Sequence, residues 1–414
     1  MKMFVNSLRL CIKNNVVFLI FLIAFLVRLG FVINETGIPS SDAASYDSLG
    51  LSISKGYGYI YDNGIPDSFR PPFYPAFLAI IYKFFGHSYF AVRFIQSIIG
   101  ALTAVFVFLI GRKIYGFFIG LLASFVSIAY LPFIKSSCLL LTENIFTFIL
   151  ILIVFYLIKI QKNGKFGDSI VLGLLLGISL LTRSTMALFI LFIMPVFIHS
   201  KDLNFAQCSK KYAVVLLFFT IVLSPWIIRN YIVYRALVPV SSQGGIGFYS
   251  SYCPRDGIFG LMAASDDPVV IEASKISSPI LQSNFFVKKT IDFIINNPKK
   301  VLMLELKKVM YFWAPLDWEI VGNKWFNAIY MIMLPFFAIG FISALKEFRK
   351  FYPVLIPIVY FQIISLIFYG SPRFRLPVDP YIFIIGMAGI MEVFKYLKKT
   401  KGNYYENINS YTCF

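Results

Sequence analysis

Long apolar runs broken by short polar pieces set the pattern of this chain. The first, "VVFLIFLIAFLVRLGFVI" at 16–33, carries a single charge. A membrane span needs roughly 20 apolar residues, fewer where the bilayer is thin. Ten stretches approach that length: 16–33, 89–110, 116–133, 143–158, 169–182, 184–198, 213–228, 326–345, 353–370 and 380–394. Ten crossings put both ends of the chain on one side. The fifth and sixth, "SIVLGLLLGISLL" and "MALFILFIMPVFI", are short and separated by "TRST". They are expected to form a shallow hairpin that holds Arg183 just below the outer surface. The alternative, one bent helix, would invert everything downstream.

Charge separates the two. With the hairpin, 18 Lys/Arg fall in about 70 residues on one side and 18 in about 170 on the other; Arg28 and Arg93 lie within spans. Basic density marks the cytoplasmic side, which places both termini inside. The bent-helix alternative would put the long, less basic 229–325 segment inside, against that rule. The expected fold is an all-α integral membrane protein with about ten transmembrane helices. A polytopic domain covers 1–398 and a cytoplasmic tail 399–414. Two large outer loops, 34–88 and 229–325, carry interfacial helices.

In the first loop, "RPPFYPAFLAIIYKFFG" is too short to cross and exposes Tyr74, Phe77, Phe84 and Phe85 to an interface. In the second, "PKKVLMLELKKVMYFWAPLDW" puts Leu302, Leu306, Val309, Met310 and Trp313 on one side of a helix. Lys300, Lys307 and Lys308 fall opposite, as on a surface-bound amphipathic helix. No internal repeat of the kind common in secondary transporters is visible.

Composition agrees with the pattern. The 414 residues are 58% hydrophobic, 18% aromatic and only 14% charged, with a mean hydropathy of +0.77; soluble domains carry nearer a quarter charged residues. The net charge of +18 sits in short pieces between apolar runs, not in a basic patch interleaved with aromatics, so nucleic acid is not an expected partner. The basic N-terminus precedes an apolar stretch too long for a signal peptide and reads as an uncleaved anchor. Five cysteines without a C-x-x-C pair, and only His87 and His199, give no support to a zinc or other divalent metal site. No cofactor is assigned, and a divalent metal stays open. Cys138 and Cys253 share the outer side, either as a disulfide or as two thiols.

Candidate chemistry gathers at the outer border. Asp42 and Asp47 lie in "SDAASYDSLG", just beyond the first span. Asp42 suits a helix N-cap, with Tyr46 on one face of the helix that follows. A helix start also aims it at a cavity, and capping does not exclude catalysis. Asp47 lies roughly 140° round the same helix, at 100° per residue. In "SFRPPFYP" the double proline fixes Arg70 at the level of lipid phosphates, whether of a substrate or of ordinary headgroups. Glu143 in "LLLTENIF" suits either a helix N-terminal dipole or a site. Arg183 in "LLTRSTM", and Arg373 and Arg375 in "YGSPRFRLPVDP", complete the set. On a substrate joining a sugar to a lipid phosphate, a carboxylate could take the proton of an attacking hydroxyl. Guanidiniums would stabilise the departing phosphate. No nucleotide-binding glycine loop is needed; "GGIG" at 244–247 follows no strand.

The ordered series "SSDAASYDSLG", "FRPPFYPAFLAIIYKFFG", "LLLTENIF", "LLTRSTM", "SPWIIRNYIVYRALVPVSSQGG" and "PRFRLPVDPY" resembles bacterial polytopic glycosyltransferases of the C-type fold (GT-C). Within that fold the likeness is to the protein O-mannosyltransferase and lipid A aminoarabinose transferase group, over about residues 16 to 395. It implies inverting transfer from a polyprenyl-phosphate-linked sugar to a lipid, glycan or protein acceptor. The expected place is the outer face of the bacterial inner membrane, with membrane lipids as further partners. The resemblance implies Asp42 as base, Glu143 as a second acid and Arg70 on the donor phosphate. Ala43 departs from it, standing where many relatives carry an acid. Arg229 and Asn230 in "WIIRNY" line the acceptor side or tie down the loop. Two other classes stay open on sequence alone: a transporter or flippase of a lipid-linked or anionic solute, and a non-catalytic scaffold.

Overall fold

The computed structural model describes residues 2–61, 64–198, 204–252, 265–315 and 327–411, with side chains from 15 to 398 except at 163. Cys253 and the "LDW" end of the second-loop motif lie outside the described residues. The first part of the chain forms α1 (Lys2–Ile33), α2 (Asp42–Ser54), α3 (Phe73–Phe85), α4 (Tyr89–Ile114), α5 (Phe117–Ala129), α6 (Leu131–Cys138), α7 (Glu143–Asn163) and α8 (Phe166–Thr182). Short α9 (Phe189–Phe192) and α10 (Met194–Ile198) lead to α11 (Phe205–Tyr234). The second loop holds α12 (Gln243–Tyr252), α13 (Pro268–Ser274), α14 (Pro279–Asn296) and α15 (Pro298–Trp313). The last part is α16 (Ala328–Lys346), α17 (Phe348–Ile367), α18 (Pro372–Arg375) and α19 (Asp379–Tyr411). Among the described residues there is no strand, only an isolated bridge between Ile60 and Pro66.

Among the described residues seven helices are long and apolar enough to cross a membrane, or eight if α5 and α6, bent by 53°, make one span. The expected count of ten is not reached, and length explains it. At 1.5 Å per residue α8 spans about 26 Å, short of a core of about 30 Å. The next stretch is broken into a 3-10 turn (Ser184–Met186), α9 and α10. The α5–α6 bend falls where Tyr130 is extended and Pro132 opens a fresh helix.

The 166–198 stretch nevertheless goes out and returns. Lys211 Nζ donates to the Gly164 carbonyl at 2.5 Å. The Cys208 thiol donates to the Phe197 carbonyl at 2.9 Å, and Tyr212 reaches the Ile190 carbonyl at 2.9 Å. Both ends of the stretch thus meet the start of α11, while Arg183 lies at the far end beside Thr142. That is the hairpin, not the single bent helix.

Helix starts follow their caps. Ser88 accepts from the Ala91 N–H, Asn204 and Gln207 form a capping box, and Asn327 accepts from Tyr330. The core centres on α7, whose Phe146, Leu150, Val154 and Leu157 are buried, and on Tyr381–Ile385 of α19. Gly340 and Gly389 let α16 and α19 touch backbone to backbone: a Cβ on Gly389 would run into the Phe336 carbonyl. Apolar residues on α11, among them Leu217, Ile221, Ile228 and Ile232, point outward, as lipid-facing residues do.

In the outer loops α3 and α15 form where the pattern placed them. Phe84 and Phe85 are exposed while Tyr74 is buried. On α15, Leu302, Leu306 and Met310 are exposed. Lys308 corrects the expected polar face. It is fully buried, donates to Glu305 at 3.0 Å and to the Leu366 carbonyl at 2.8 Å, and lies 3.8 Å from the Tyr252 ring centre. A helical wheel sorts residues by angle and cannot register that α17 packs on that side. The Cys138 and Cys208 side chains are buried.

Candidate active site

The chain turns sharply at Ser41 (φ 51°), and α2 begins at Asp42. Asp42 is therefore the first helical residue rather than the cap, and its carboxylate is not spent on the backbone. Instead Oδ1 accepts from Arg70 Nη2 at 2.6 Å and Oδ2 from Arg373 Nη1 at 3.1 Å. Arg373 Nε also donates to Glu143 Oε1 at 2.6 Å, and Arg183 Nη2 reaches that same oxygen at 2.5 Å. Arg183 Nε donates to Thr142 Oγ1 at 2.9 Å.

Five side chains from α2, the loop before α3, the tops of α7 and α8, and α18 thus form one chain of charge: Arg70, Asp42, Arg373, Glu143, Arg183. Glu143 is at the bottom, fully buried, and Asp42 is at the rim with 35% of its side chain exposed. Within this chain of charge two carboxylates face three guanidiniums. Among the described residues Arg70 Nε and Arg183 Nη1 are buried donors without a hydrogen-bond partner, and Glu143 Oε2 is a buried acceptor without one. Burial works to raise the Asp42 carboxyl, but Arg70 and Arg373 outweigh it and hold the group below the usual carboxylate range.

Arg70 is fixed from several sides. The Asp67 carboxylate accepts from the backbone N–H of Phe69 at 2.9 Å and of Arg70 at 3.0 Å. Tyr59 donates to the Arg70 carbonyl at 2.9 Å. The guanidinium lies 5.1 Å from the Tyr46 ring centre and 5.2 Å from that of Phe69. Arg229 is outside the charge chain: it donates to the carbonyls of Asp67 (2.7 Å) and Tyr59 (3.0 Å). Asn230 donates to the Val238 carbonyl at 3.0 Å. Both residues therefore tie loops together.

Two expected members are elsewhere. Asp47 accepts from Tyr82 at 2.5 Å and Tyr89 at 3.0 Å and contacts His87 Nε2 at 2.8 Å. The turn of helix between the two acids separates them. Arg375 faces inward, donating to Asp379 at 2.9 Å and to the carbonyls of Phe312 (2.6 Å) and Ala314 (2.9 Å), above the Tyr330 ring. Sequence reasoning missed Asp67 and Arg93. Arg93 donates to the carbonyls of Glu35, Gly37 and Cys138, joining the linker before Asp42 to the segment before Glu143. An Asp three residues before the Arg-Pro-Pro run was the available signal for the first. Among the described residues, no three His, Cys, Asp or Glu side chains are grouped to hold a metal ion.

The helical bundle has counterparts among solved structures. Archaeal oligosaccharyltransferase AglB from Archaeoglobus fulgidus, solved with an inhibitory peptide and a dolichol-phosphate, superimposes with a TM-score of 0.57 at 15% identity. That likeness covers 95% of this chain and 52% of AglB, so the chain spans about half the length of that relative. ArnT from Cupriavidus metallidurans bound to undecaprenyl phosphate matches at 12% identity and a TM-score of 0.47, over 90% of this chain and 77% of ArnT. The protein is thus a polytopic membrane protein of the C-type glycosyltransferase fold. Its residues 69–228 match the family model of dolichyl-phosphate-mannose-protein mannosyltransferase, less than half of the chain but including Arg70, Glu143 and Arg183. The resemblance read from the motifs is borne out at that level. Comparison with curated protein sequences gave no match.

Proposed function

We propose that the protein is a glycosyltransferase that moves a sugar from a polyprenyl-phosphate-linked donor to an envelope acceptor on the extracytoplasmic face of a bacterial inner membrane. The observation that carries this reading is the rim-exposed Asp42 carboxylate set between Arg70 and Arg373, with Arg183 behind them. In the reaction the acceptor hydroxyl attacks the anomeric carbon from the face opposite the phosphate, which inverts the configuration. Asp42 takes the hydroxyl proton as the new C–O bond forms. The bond between the anomeric carbon and the phosphate oxygen breaks, and both its electrons leave with the lipid phosphate. Guanidiniums stabilise the charge growing there, and such fixed cations act strongly where water is excluded. Glu143, buried and bonded to two arginines, orients them rather than touching substrate. AglB, whose solved complex holds a dolichol-phosphate, supports a lipid-phosphate ligand on this fold.

The test is transfer by the purified protein in lipid nanodiscs, supplied with polyprenyl-phosphate-linked sugars and envelope glycolipid, glycan or peptide acceptors. Asp42→Asn should lose transfer by about a hundredfold or more, the scale of general-base catalysis, with its helical circular dichroism unchanged. Transfer at the wild-type rate by that variant would overturn the assignment of Asp42.

A further inference from the structure

The Asp42 carboxylate is engaged where a base must be free. Both of its oxygens accept from guanidiniums, at 2.6 and 3.1 Å, and a carboxylate so held is poorly placed to take a proton. We infer that the donor phosphate takes the seat now filled by the Asp42 carboxylate, so that the two anions compete for Arg70 and Arg373 and Asp42 is released as a base only in the donor complex. This rests on the transferase reading above.

Three features point the same way. The cations are fixed and the anion is the movable part. Arg373 is pinned by Glu143, and Arg70 is pinned by its backbone bonds to Asp67 and Tyr59 and by the Tyr46 and Phe69 rings. Asp42 has the most exposed side chain of the five. Next, a carboxylate and a phosphate offer the same pairing to arginine, two oxygens at charge-assisted hydrogen-bond distance. Last, the charges balance. A phosphodiester monoanion beside ionised Asp42 and Glu143 matches the three guanidiniums. After transfer the phosphate gains one negative charge while Asp42, now protonated, loses one, so the total stays matched. When Asp42 gives up that proton it becomes a competitor again and helps expel the lipid phosphate.

Binding of undecaprenyl phosphate to the full-length protein in nanodiscs tests this without any transfer step. Asp42→Asn and Asp42→Ala should each bind it at least about tenfold tighter than wild type, since a competing charge at this range is worth more than the 1.4 kcal/mol that tenfold represents. Arg70→Gln should bind it at least about tenfold more weakly. Thermal melting in the same nanodiscs selects the Asp42 variant that is folded for the comparison. Unchanged or weaker binding by the folded Asp42 variants would overturn the inference, as would equal tightening by Asp47→Asn, which removes an acid from the same helix. Absence of transfer by the wild type from every lipid-linked sugar would instead sink the transferase reading, and the binding comparison would still stand.

Discussion

Asp42 and its two arginines set a pH signature at the scale of single residues. The free protein holds this carboxyl below its ordinary value because Arg70 and Arg373 outweigh burial. As a base it works only when ionised, so kcat/KM, which reports the free enzyme, should keep its acid limb below the usual carboxylate range. Once a phosphate shares the guanidiniums, that support weakens and a second negative charge sits close by. The acid limb of kcat should therefore lie at higher pH than that of kcat/KM, and coinciding limbs in paired profiles would contradict the exchange. The stability linkage has the same sign. A folded-state value below the unfolded one stabilises the protein above the ordinary carboxylate range and is lost as pH falls through the lowered value. Arg373 and Arg375 make the contrast sharper. Read from sequence they were equals, two residues apart. Arg375 is paired with Asp379 inside the bundle, so Arg375→Gln should destabilise by about 3–5 kcal/mol, the cost of stranding a buried charge. Arg373→Gln should spare folding far more and abolish transfer. Thermal melts beside transfer assays distinguish the two.

Helices and loops were legible to different depths. Among the described residues most of the long apolar runs became helix, because a lipid-facing backbone must satisfy its own hydrogen bonds. Asp42 and Glu143 stood out because an acid at the end of an apolar run is costly without a purpose. What periodicity could not show is contact between distant segments. Lys308 looked solvent-facing until α17 closed over it, and Asp47, a second candidate acid roughly 140° round the helix from Asp42, is held by Tyr82, His87 and Tyr89. Asp67 left only the local signal of an Asp before the Arg-Pro-Pro run, since its role rests on a turn that Arg229 pins from far along the chain. That turn sets where Arg70 points. Asp67→Ala should raise the KM for the lipid-linked donor about tenfold, as loss of buried hydrogen bonds to a positioning loop would, while kcat changes much less. Asp67→Asn, which keeps one acceptor oxygen, should recover part of the loss. A fall in kcat with unchanged donor KM would count against this role.

At the scale of the whole molecule, the end of the bundle that faces out decides on which side of the membrane transfer can take place. All five members of the charge chain sit at one end: beyond α1, before α3, at the top of α7, after α8 and before α19. The opposite end carries Arg112, Lys113, Lys159, Lys162, Lys165 and Lys211, with Lys159 bonded to Asp168 at 2.5 Å. Because the 166–198 stretch goes out and returns, α11 starts at that basic end and the second large loop opens at the other. By the positive-inside rule the basic end should be the cytoplasmic one, and the site should then face outward, where a donor delivered across the membrane would meet it. Single cysteines can read this directly, in a background with the native cysteines replaced. Lys55→Cys, exposed after α2, should react with an impermeant maleimide in intact spheroplasts, while Lys165→Cys, exposed before α8, should react only after the membrane is opened. The reverse pattern would turn the site toward the cytoplasm. A lipid-linked donor would then meet the charged rim before it crossed the membrane, and extracytoplasmic transfer would have to be abandoned while the charge chain itself stood unchanged.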